Sequence, residues 1–84
     1  MTAHTDPSFT EFVDGAAADL TVLASAVALA SAFHPAAADR LRAAQRRACV
    51  AVETVRARID DGTADGEDVS RAWTAVHTLR DLVS

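Results

Sequence analysis

The side chains of this 84-residue chain that could do chemistry are eight arginines, one cysteine, three histidines and a pair of adjacent aspartates. Six of the arginines, Arg40, Arg42, Arg46, Arg47, Arg56 and Arg58, crowd into one segment, as a phosphate-binding stripe would require. At about 100° per residue, however, Arg40, Arg47 and Arg58 project to one flank of a helix and Arg42, Arg46 and Arg56 to another. Asp39, Glu53, Asp60 and Asp61 dilute the field further in a chain of net charge -4. No helix-turn-helix turn, zinc finger or aromatic-studded basic groove accompanies them. The expected role is a solvated polar face, with Arg42, Arg46 and Arg56 placed to rim an interface or contact an anion. The alternative is a nucleic-acid-binding regulator that uses these arginines twice over in a dimer, its mark a steep loss of binding with salt.

Cys49 falls on the polar side of the same segment, one turn from Arg46 and Glu53 and two from Arg42 and Arg56. Guanidinium neighbours favour a thiolate, so Cys49 is a candidate redox thiol or intermolecular disulfide partner. A nucleophile would need a base, and none is spaced to serve it. A lone cysteine allows no internal disulfide, which fits a cytoplasmic location. His4, His34 and His77 lie too far apart for a metal set, and the Glu-x-x-His pairs of metal-binding bundles do not occur. Asp60 and Asp61 sit in a Gly-rich loop, whereas acid–base chemistry needs a cleft. Neither a glycine-rich phosphate loop nor a Cys-x-x-Cys motif is present. The expectation is a non-enzyme with no cofactor and no metal.

The elements that carry these residues are read from apolar periodicity. Asp6-Pro7 is a helix start, because aspartate accepts first-turn amides and proline at the first position loses no hydrogen bond. Helix 1 is expected over about 7–33, continuous through Gly15, after a disordered start at 1–5. Its first apolar stripe, Phe9, Val13, Ala16, Leu20, Leu23, Val27 and Ala30, suits a core seam. A second stripe, Ala18, Val22, Ala26, Leu29 and Phe33, runs along the opposite side. Asp19 is the only charge from Ala16 to Phe33, and Thr21, Ser25 and Ser31 can bond the preceding turn's carbonyls. The run has almost the length of a membrane span but is rich in Ala and Ser and is broken at His34-Pro35, so a buried helix is expected rather than a span.

Pro35 forces a tight link and an antiparallel second helix over about 36–59, with Ala37, Leu41, Ala44, Ala48, Val52, Val55 and Ile59 on its core face. Ala43, Val50 and Ala57 form a weaker second stripe. Asp60 to Gly66 is the one clear loop, and Asp65 with Asp68 resembles a capping box that opens helix 3 over about 66–83. Val69, Ala72, Val76, Leu79 and Val83 form its seam, with Trp73 beside it as the largest expected core anchor.

The expectation is one domain over 6–84, an all-α antiparallel three-helix bundle completed by oligomerisation. A chain this small buries little more than about 60% of its unfolded surface, and helix 3 is too short to cover the other two. A two-fold dimer that sets hairpin against hairpin would bury both second stripes. The expected function is a protein–protein interaction or assembly module: an adaptor, inhibitor or regulatory subunit. The interaction face is Val22, Ala26, Leu29, Phe33, Ala43, Val50 and Ala57. The expected partner is a second copy, as a homodimer, or another protein, with nucleic acid disfavoured. A small-molecule- or lipid-binding bundle is a further alternative, because the same stripes can line a cavity.

Overall fold

The computed structural model describes residues 7–84, so the start at 1–5, His4 and the cap expected at Asp6 lie outside the described residues. Three helices follow one another: α1 at Pro7–Phe33, α2 at Ala38–Asp61 and α3 at Gly66–Val83. The fold is all-α, with all three helices packed on one another. At 1.5 Å per residue they are about 40, 36 and 27 Å long, so α3 leaves part of the hairpin uncovered.

The link between α1 and α2 follows from one proline. His34 leaves the helix at φ -131 and ψ 71, outside the α region that a following proline disfavours. Pro35–Ala37 then forms a single 3-10 turn, so α2 begins two residues later than the pattern suggests. At its far end Gly62 takes φ 76 and ψ 19, a left-handed conformation that costs glycine little. That geometry lets the amides of Thr63 and Ala64 bond the Arg58 carbonyl at 2.8 and 3.1 Å.

The start of α3 is held more firmly than the capping pattern alone implies. Asp65 accepts from the Asp68 amide at 2.9 Å, and the Asp65 amide donates to the Asp68 carboxylate at 3.3 Å. Asp68 is also the one buried charged residue among those described, and Arg58 at the end of α2 reaches its Oδ2 at 3.5 Å. One carboxylate therefore caps α3 and ties it to α2. Asp68→Ala is expected to lower stability by about 1–2 kcal/mol, read as a lower urea midpoint with unchanged slope.

The core joins Val13, Ala16, Leu23 and Val27 of α1 to Leu41, Ala44, Ala48, Val52 and Val55 of α2 and Ala72, Val76 and Leu79 of α3. Alanine at Ala48 and Ala72, both fully buried, lets the helices approach closely but buries little area at each contact. Trp73 is not the core anchor that its size suggests. It sits one position off the seam of α3, is 52% exposed, and stacks on His77 with ring centroids 3.9 Å apart. Ser31 also departs from expectation: its hydroxyl is buried and has no hydrogen-bond partner among the described residues, whereas Thr21 does bond the Ala17 carbonyl.

α1 runs unbroken through Gly15, and a Cβ built there would meet nothing within 4 Å. Neither backbone conformation nor packing in the monomer calls for glycine at this position. Gly15→Ala is therefore expected to stabilise the chain by about 0.5–1 kcal/mol, raising its melting temperature by several degrees.

Candidate interaction surface

The second stripe of α1 lies bare. Val22 is 71% exposed, Leu29 62% and Phe33 74%, with Ala18 exposed and Ala26 half-buried between them. Large apolar side chains normally appear singly on a monomer's surface, and these three recur on one helix face. No charge interrupts this face from Leu20 to Phe33. Its neighbour is α3: Ala26, Leu29 and Phe33 line a groove with Leu82 and Val83 at the end of that helix. Leu82, itself 39% exposed, extends the apolar surface and was not marked out by the seam of α3.

The α2 residues of the expected face lie elsewhere. Val50 is 64% exposed and sits in a shallow depression with Ala43, Arg46 and Arg47, while Ala57 is exposed two turns further along. Arg47 in turn borders Ala75 and Thr78 of α3. The two second stripes thus flank α3 from opposite sides, because each points away from a core that α3 completes. The residues expected to share one face therefore line two separate depressions.

The arginines do not gather into a phosphate site. Arg58 is committed to Asp68, Arg71 pairs with Glu67, and Arg80 bridges to Asp19 at 3.0 Å. Arg42, Arg46 and Arg56 are exposed along the outer side of α2, without an ion-pair partner among the described residues. Cys49 is half-buried. Among the described residues no cluster of His, Cys, Asp and Glu could hold a metal ion.

α1 is long and apolar enough, by length and composition alone, to cross a membrane. The core helix of a soluble protein and a signal sequence have the same composition. In this fold its inner face is occupied by α2 and α3, whose outer faces are charged and would have to be desolvated if the bundle entered a bilayer.

Between α1 and α3 lies a cleft of about 270 Å³, lined by Glu11, Gly15, Trp73, His77 and the Asp19–Arg80 pair. Trp73, His77 and Arg80 recur at helical spacing on α3, opposite Glu11, Gly15 and Asp19 on α1. The i, i+4, i+7 pattern on α3 was available in the sequence, but what faces it was not. No protein-family model, curated protein or solved structure matches the chain.

Proposed function

We propose that this protein is a helical interaction module that associates through the outer face of α1, with a second copy as its partner. The observation that supports this most is the exposure of Val22, Leu29 and Phe33 together on one face of α1. A two-fold axis across that face would set two α1 helices against each other with apolar side chains on both sides and no charge to desolvate from Leu20 onward. Glu11 and Asp14 would remain at the rim. The same burial would relieve the thin core of a chain of this length. The role that follows is assembly or regulation by occupancy of this face, not catalysis.

Thiol labelling tests the reading position by position. In Cys49→Ser/Val22→Cys the new thiol is expected to react with maleimide about tenfold more slowly at high protein concentration than at high dilution. In Cys49→Ser/Ser70→Cys, on the outer side of α3, the rate is expected to stay constant. Equal rates for both variants at every concentration would refute self-association. Protection of position 22 by lipid vesicles alone would instead assign the face to a bilayer surface.

A further inference from the structure

The cleft between α1 and α3, at the N-terminal end of the side of α1 that also carries Val22, combines three features that an apolar contact does not require. First, Gly15 lines it, a helix-interior glycine for which the monomer gives no steric or conformational reason, so the α1 backbone is open to close approach. Second, Trp73 lines the cleft and is half exposed, with His77 stacked on the indole. Third, its charges do not balance. Asp19 is neutralised by Arg80 at 3.0 Å, whereas Glu11 has no ion-pair or hydrogen-bond partner among the described residues. An open aromatic surface beside an uncompensated carboxylate attracts a cation. A flat, delocalised cation stacks on indole and bonds a carboxylate in one plane, as ammonium cannot. The volume, about 270 Å³, lies just below that of small-molecule pockets and suits one long side chain.

We propose that this cleft accepts an arginine side chain from a partner protein, its guanidinium stacked on Trp73 and held by the Glu11 carboxylate over the bare backbone at Gly15. The site lies on the same side of α1 as the apolar face, N-terminal to Val22, but is built within one copy, so binding does not require self-association.

Trp73 is the only tryptophan and the chain has no tyrosine, so intrinsic fluorescence reports this cleft alone. The probes are acetylated, amidated tripeptides Ala-X-Ala with X as arginine, lysine or citrulline. The arginine peptide is expected to give a saturable fluorescence change in the millimolar range, the lysine peptide to bind several-fold more weakly, and the uncharged citrulline peptide to give none. Glu11→Gln, an exposed substitution, is expected to weaken arginine binding about tenfold. Gly15→Val is expected to abolish it while circular dichroism stays helical. The response is expected to persist in Leu29→Glu. No saturable change, equal responses to arginine and citrulline, or an unchanged affinity in Glu11→Gln would overturn the proposal. So would loss of the response in Leu29→Glu, which would place binding on the docking face.

Discussion

Leu79→Ala is expected to remove about 3–4 kcal/mol of stability, the largest effect of any single core truncation in this chain. Leu79 is fully buried and is the largest side chain so enclosed among the described residues, followed by Val55. Around it the core is built largely from valine and alanine, which have little reach to close the hole that an alanine would leave. The cost is therefore a transfer term plus a cavity that persists. A domain of this length has a total stability of roughly 4–12 kcal/mol, so the change consumes a large part of it. At about 4–8 °C per kcal/mol, the melting temperature should fall by roughly 15 °C or more. A thermal melt followed by circular dichroism checks this, and a loss under about 1 kcal/mol would show that the three helices do not meet at Leu79.

Leu29→Glu is expected to act in the opposite way, leaving the fold intact and removing association. In the isolated bundle Leu29 is 62% exposed, so a charge there meets water and stability should change by no more than about 0.5 kcal/mol. In a two-fold pair the same position is covered by the partner's α1, and each copy would bury a carboxylate without a cation. Asp19, the nearest charge on the helix, is itself acidic and already paired with Arg80. At about 3 kcal/mol or more per buried unpaired charge, the dissociation constant should rise at least about a hundredfold. The two substitutions thus separate fold from assembly: one is read in stability at any concentration, the other only where copies meet.

Periodicity makes much of this arrangement legible in the sequence. Val13, Ala16, Leu23 and Val27 fall one or two turns apart on one side of α1 and are buried, while Val22, Leu29 and Phe33 fall on the other side and are bare. Both stripes depend only on local helical geometry, so spacing was enough to find them. Three features needed the third helix. Trp73 reads as a core anchor by size, but its angle on α3 places it at the edge, where Glu11, Gly15 and Asp19 leave it half open. Asp68 reads as a cap and proves also to be buried, because Arg58 ends α2 at the point where α3 begins. The stripes of α1 and α2 read as one surface and diverge, because their directions are set by where α3 docks and not by either helix alone. The Asp19–Arg80 bridge, joining the first and last helices, carries no local signal in the sequence.

The most direct test of the docking face is molar mass by multi-angle light scattering, measured across concentration for the wild type and Leu29→Glu, with circular dichroism on both. The account predicts a wild type that moves from 8.8 kDa toward twice that value as concentration rises. It predicts a Leu29→Glu variant that stays at the monomer mass with the same helicity. A wild type that remains monomeric throughout, indistinguishable from an equally folded Leu29→Glu, would contradict it.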